Sequence, residues 1–195
     1  GDLTDLGQFQ NSDTCASCHG TGFMNDTTFL PFDTWAGTMM ANAARDPVFF
    51  AAIAIARQDA LDVVDQHGVS CEVCHRAKST PTATDYYLHG DAQLVFTDDQ
   101  AKRGKYPDQG SPAHAILTDD SLTKFDFCAQ CHIVTLPSNN LIDNAGNDLG
   151  VPFPVETTFL EWLQSAFPNK AGDGASCQGC HMPKKVGMHP VSRLF

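Results

Sequence analysis

Cys15-Ala-Ser-Cys18-His19, Cys71-Glu-Val-Cys74-His75, Cys128-Ala-Gln-Cys131-His132 and Cys177-Gln-Gly-Cys180-His181 decide how this chain is read. Two thiols three positions apart, followed at once by an imidazole, are the attachment signature of a c-type haem. The spacing has a chemical reason. Each thiol forms a thioether to one vinyl group of the same porphyrin, and the adjacent histidine turns under the ring to bind iron. All eight cysteines of the chain fall in these four motifs. Paired Cys-x-x-Cys units also build zinc ribbons and redox dithiols. Two closed zinc sites, however, give no reason for a histidine after every pair, and a disulfide framework asks nothing of the following residue. The expected cofactors are four haem c groups, each with its iron.

At 195 residues the chain has the length of one domain, and we read residues 1–195 as a single tetrahaem domain. Shared among four motifs this leaves about 49 residues per haem, too few for an independent apolar core around each. The haems themselves must form much of the core. Fifteen Gly and eleven Pro with 42% hydrophobic residues agree with a loop-rich chain wrapped around cofactors. The expected fold is mostly irregular, with several α-helices and little β.

Haem c is attached outside the cytoplasm, which predicts an extracellular or periplasmic protein. Gly1-Asp-Leu-Thr-Asp-Leu carries no basic n-region or apolar h-region, as expected of a mature form whose signal peptide has been removed. The nearest approach to a membrane segment, Val48 to Ala56, is far too short to span a bilayer. Formal net charge is −11, and ionised propionates add to it. That disfavours nucleic acid and anionic lipid and favours cationic proteins, cations or oxide surfaces, although ordinary solubility accounts for the same charge.

The motifs begin at residues 15, 71, 128 and 177, but the segments between them share little sequence and do not read as a solenoid. Phe32 to Gln66 is the best helical region. Asp33 or Thr34 is placed to cap a first helix running through Ala44, and Asp46-Pro47 reads as the N-cap and first position of a second. From Val48 that second helix is apolar nearly all round and is expected to be buried, with Gly68 ending it. Ser79 to Lys124 reads as ordered loop with a short strand at Gln93 to Phe96. Ile133-Val-Thr-Leu and Val151 to Val155 flank Asp143-Asn-Ala-Gly-Asn-Asp, a β-hairpin turn or, through Asp143, Asn147 and Asp148, a calcium loop. Spacing favours the turn. Thr157-Thr158 is expected to cap a helix from Phe159 that ends near Pro168.

Four bis-histidine haems need eight imidazoles, and the chain has eight histidines. His19, His75, His132 and His181 belong to the motifs. His67, His89, His114 and His189 remain, one for each vacant distal position. Methionine competes, because His/Met ligation is standard in single-haem cytochromes c. Met39 and Met40 are the serious candidates among Met24, Met39, Met40, Met182 and Met188. Pairing of the distal histidines stays open: His67 lies only four residues before Cys71, and His189 sits on a short tail able to reach its own molecule or the next.

Gly68-Val-Ser-Cys-Glu-Val-Cys-His resembles the second-haem region of the large multihaem cytochrome group that includes the tetrahaem electron acceptor of hydroxylamine oxidoreductase. Lys102-Arg-Gly-Lys-Tyr-Pro-Asp, Ser111-Pro-Ala-His114 and Phe127-Cys-Ala-Gln-Cys-His resemble the same group's sequence of basic segment, distal histidine and next motif. Pro154 to Phe167, leading to Cys177-Gln-Gly-Cys-His-Met-Pro, is similar to C-terminal haem modules of surface cytochromes in metal-reducing bacteria. The resemblance implies a haem-cored multihaem cytochrome c architecture. Relatives often carry a distal histidine where Met40 stands here, which puts one His/Met haem in play. In number of haems, length and histidine count the chain also resembles extracellular tetrahaem cytochromes that polymerise head to tail into conducting filaments. That resemblance implies a homopolymer in which one distal histidine, His189 or else His89, comes from the neighbouring subunit.

The expected role is electron transfer and not enzymatic catalysis, with a redox protein or mineral as acceptor. The protein is then either the subunit of an extracellular filament or a monomeric periplasmic shuttle. A multihaem reductase is the alternative; it would keep one iron open, and Arg103, Lys105 and Tyr106 are the only cluster to nominate for it. Every motif ends in histidine and spare histidines equal vacancies, which favours closed irons and no catalytic residue.

Overall fold

The computed structural model describes residues 9–21, 30–48, 51, 68–78, 90–92, 94–96, 99–108, 110–111, 113–168, 176–182, 187 and 191–192. The chain divides into two compact units, Asp2–Arg76 together with Val186–Phe195, and Ala77–Lys185. Among the described residues no helix is long and apolar enough to cross a membrane.

In the first unit, helix α1 (Ser12–His19) opens on Asn11, whose side chain accepts the Asp13 amide at 2.9 Å. Helix α2 (Pro31–Ala36) has Leu30 as its N-cap, three residues before the expected Asp33, with Pro31 in the first turn. Asp33 is therefore at N3 and reaches back to the Leu30 amide at 3.0 Å instead of acting as the N-cap. The helix also stops early, at Ala36. Beyond Gly37 the Thr38 hydroxyl donates to the Trp35 carbonyl at 2.7 Å and accepts the Ala41 amide at 3.2 Å, turning the chain out of helix through residues 38–42. Met39 is 87% exposed in that turn. A 3₁₀ turn follows at Ala43–Arg45, and Asp46 accepts the Val48 amide at 2.7 Å, the expected cap, with residues 47, 48 and 51 helical. Val48 and Ala51 are exposed; the rest of the expected apolar helix lies outside the described residues. Gly68 has φ +64, and a Cβ there would sit 2.8 Å from the Met40 carbonyl oxygen, so the site demands glycine. Helix α3 is Cys71–Arg76.

The second unit holds the β structure. Strands β1 (Ala77–Lys78) and β2 (Val95–Phe96) pair antiparallel, close to where a strand is expected. Strands β3 (Lys102–Gly104) and β4 (Ile116–Thr118) pair parallel inside what reads as loop. Helix α4 spans Phe125–Ala129 after a 3₁₀ turn at Ser121–Thr123. Strands β5 (Val134–Ile142) and β6 (Asp148–Glu156) form an antiparallel hairpin longer than its sequence signal. Leu136, Leu149, Phe153 and Val155 of this hairpin are exposed. Helix α5 (Thr158–Gln164) has Thr157 as N-cap, but the Thr157 hydroxyl turns to Glu161 and the Glu156 carboxylate accepts the Thr158 amide instead. Helix α6 is Cys177–His181.

The core of this unit is Ala129, Ile133, Phe159 and Leu160, with Phe125 and Trp162 packed against it. The Phe125, Phe159 and Trp162 rings lie 5.1 to 6.1 Å apart, centroid to centroid. Among the described residues nine apolar side chains are buried, four of them alanines.

Candidate haem attachment sites

All four motifs lie in helical turns. Cysteines at i and i+3 and a histidine at i+4 of one helix share a face. Helices α1, α3 and α6 contain their motifs whole. Helix α4 ends at Ala129, yet the His132 amide still donates to the Cys128 carbonyl at 2.9 Å, so the third motif keeps the same turn. Each motif thus offers two thiols and one imidazole on one side, the donor set that one haem c takes. All eight cysteines are free thiols.

Neighbouring elements bring the motifs together in twos. In the first unit the Cys71 thiol is hydrogen-bonded to that of Cys15, which, with lesser help from Ser12 and the charge of His19, pulls Cys71 down to about 6 against the opposing effect of burial. The Cys71 amide donates to Ser12 Oγ at 3.2 Å, and the Gln10 amide to Glu72 at 2.7 Å. Glu72 and Arg76 form a buried i, i+4 ion pair at 3.7 Å, and the Arg76 guanidinium lies 4.8 Å from the Phe9 ring centroid. Helix α2 braces the pair from the side: Asp33 accepts the Thr21 amide just past the first motif, and the Trp35 indole donates to the Val69 carbonyl just before the second.

In the second unit burial raises the Cys177 thiol, a rise that a hydrogen bond to Cys128 opposes. Gln178, inside the fourth motif, donates to the carbonyls of Leu122 and Lys124 at 3.2 and 2.6 Å, tying α6 to the start of α4. Here the braces are neutral amides where the first unit uses ions.

Two motif histidines have polar neighbours at Nδ1. His19 Nδ1 lies 2.5 Å from the Val191 carbonyl, an acceptor only, so Nδ1 carries the hydrogen and Nε2 keeps its lone pair for a metal. His132 Nδ1 faces Glu156 Oε2 at 3.9 Å. His75 and His181 are exposed. His114 stands just before β4, its Nδ1 3.3 Å from the Ala115 carbonyl. His67, His89 and His189 lie outside the described residues, as do Met24 and Met188. Met40 is placed beside the second motif, its carbonyl accepting the Val69 amide at 3.0 Å.

Among the described residues no three His, Cys, Asp or Glu side chains converge as a metal cage. A haem iron takes four nitrogens from the porphyrin and asks the chain for axial ligands alone. The Arg103, Lys105 and Tyr106 trio is split: Arg103 is buried in an ion pair with Asp99 at 2.5 Å, while Tyr106 is 73% exposed. At the hairpin tip Asp143 accepts the Ala145 and Asn147 amides and the Asn147 side chain, and Asp148 accepts the Gly150 amide and Asn140. Those carboxylates are used within the turn. Comparison with protein-family models, curated proteins and solved structures gives no match.

Proposed function

We propose that this chain is an electron-transfer protein that carries four covalent haem c groups and transforms no substrate. Cys15 and Cys18, Cys71 and Cys74, Cys128 and Cys131, and Cys177 and Cys180 attach them; His19, His75, His132 and His181 are the proximal ligands; His67, His89, His114 and His189 are the distal ones. The observation that carries this reading is the meeting of the motifs in twos, Cys15 with Cys71 and Cys128 with Cys177. Adjacent attachment points are what short electron steps between porphyrins require. When bound, the haems supply the one-electron chemistry. The chain supplies ligands, spacing and a fixed imidazole tautomer, and bis-histidine ligation sets potentials lower than His/Met ligation.

The wider role we infer is that of a subunit in an extracellular head-to-tail filament, supported by the sequence resemblance and by the equality of spare histidines and vacancies. A haemochrome assay and intact mass should give four haems per chain, and carbon monoxide should leave the reduced spectrum unchanged. Carbon monoxide binding to one haem in four would favour a reductase. Electron microscopy of native material separates filament from shuttle: uniform fibres support the first, monodisperse particles the second.

A further inference from the structure

We propose that Asp91 is a positioning residue of the third motif: with Gly90 and Ala92 it forms a strained turn that grips the backbone on both sides of Cys131 and His132 and so fixes the direction from which His132 meets iron. The inference rests on the reading of His132 as an axial ligand.

The turn is built against the preferences of its own residues. Asp91 has φ +60 and Ala92 φ +54, so two consecutive residues that carry a Cβ sit in the left-handed region. Aspartate tolerates that region and alanine does not, and both residues are exposed, so burial of their side chains does not account for the strain. Such a conformation persists only where the surroundings over-determine it. Here they do. The Asp91 amide donates to the Ile133 carbonyl at 2.8 Å and the Ala92 amide to the Gln130 carbonyl at 2.6 Å. The Asp91 carboxylate accepts the Thr135 amide through Oδ1 and the Thr135 hydroxyl through Oδ2, both at 2.7 Å. Gly90 lies so close that a Cβ would overlap the Ile133 carbonyl oxygen and stand 2.9 Å from the Ile133 Cβ. Past the turn, Leu94 is buried and its amide donates to the Ala92 carbonyl at 2.7 Å, just before β2.

The gripped residues bracket the motif. Gln130 precedes Cys131, Ile133 follows His132, and Gln130, Ile133 and Thr135 are all buried. The His132 amide donates to the Cys128 carbonyl at 2.9 Å, and its carbonyl accepts the Phe159 amide at 3.1 Å. The His132 side chain is 56% exposed, which leaves its backbone as the main determinant of where the imidazole points. A ligand must be held to within about 0.5 Å and 10–20° of its productive geometry. A rigid turn bonded at residues 130, 133 and 135 supplies that constraint, and axial ligation is a lever by which a chain sets the potential of a haem.

The test is EPR and spectroelectrochemical titration of the holoprotein, wild type against D91G and D91N, with haem content measured in each. D91G removes the carboxylate yet adopts the left-handed region without strain. One low-spin ferric signal of four should shift in it, and one potential should move with that signal. The affected signal should be the one missing from a C128S/C131S variant, which lacks the third attachment pair. D91N offers an oxygen to the Thr135 amide and an N–H to the Thr135 hydroxyl, and asparagine tolerates the same backbone, so it should restore the wild-type spectrum. Wild-type signals and potentials in D91G, a shift spread over all four haems, or a shift in a signal that C128S/C131S retains would overturn the proposal, as would D91N behaving like D91G. Should D91G lose haem, T135V removes only the hydroxyl bond and must shift the same signal by a smaller amount; no shift there also overturns it. Absence of covalent haem from the wild type would instead sink the proposed function.

Discussion

The thiols of Cys15 and Cys71 meet, although the residues belong to different Cys-x-x-Cys-His motifs far apart in sequence. Ser12 strengthens the junction by accepting the Cys71 amide at 3.2 Å, and Ser12 is itself buried. The first two motifs are therefore one structural object, and the same holds for the third and fourth through Cys128 and Cys177.

The thiols give a prediction about chemical reactivity. In protein produced without haem attachment, Cys71, held at about 6, is mostly thiolate at neutral pH and should be alkylated ahead of Cys131 and Cys177, whose thiols burial pushes up. The native value lies below the ordinary 9.0, so the unfolded state binds the proton more tightly. The Cys71 contribution to stability is present above about 9 and is lost as pH falls through about 6. Thermal unfolding of the haem-free chain between these limits checks the slope. Thioethers do not titrate, so the holoprotein should show neither alkylation nor this slope.

Ser12→Ala tests the junction itself. It leaves the Cys71 amide without its acceptor in a partly buried place, which should destabilise the protein by about 1–3 kcal/mol. If the chain carries four haems as proposed, their number should stay the same, because no motif residue is touched. Denaturant titration of the holoprotein measures the loss, and a midpoint equal to wild type refutes the bracing role.

Much of this arrangement is legible in the sequence, and what is not has identifiable reasons. The motifs, the Asp46 cap and the Asp143–Asp148 turn are local signals, carried by residues within a few positions of one another. The start of α2 differs from its sequence signal because Asp33 closes a capping box from N3 when Leu30 and Pro31 precede it. The parallel pairing of β3 with β4 has no alternating pattern to announce it; two three-residue strands register through Lys102 to Ala115 and Asp119 to Gly104 backbone bonds. The meeting of motifs in twos is a long-range fact, set by contacts such as Gln178 with Leu122 and Lys124 that no periodicity encodes.

The small core beside the third motif should be sensitive to truncation. Ile133→Ala removes a fully buried side chain packed on Phe159 and should cost about 2–5 kcal/mol, and Phe159→Ala about 3–5 kcal/mol. Because both residues touch the block that carries His132, the double variant should lose less than the sum. Chemical unfolding of the two singles and the double closes the cycle.

The hairpin tip supplies the last prediction and separates a plain turn from a calcium loop. Asp143 is held below the usual carboxylate range, first by the Asn147 side chain and then by the amides of Asn147, Ala145 and Gly146. Asp148 is lowered by the Gly150 amide and Asn140. Both native values lie below the unfolded value of 3.8, so the turn's contribution is complete above that pH and is lost as acid protonates the folded form. Amide protection at Ala145 and Asn147, measured relative to the intrinsic exchange rate at each pH, should therefore be full at neutral pH and fall as acid protonates the folded carboxylates. Asp143→Ala removes the acceptor for both amides and should free them at every pH, while haem content stays unchanged. Added calcium should leave these resonances where they are, because the carboxylates already satisfy the turn's own donors. A calcium-dependent shift that Asp143→Ala abolishes would make the tip an ion site and not a turn.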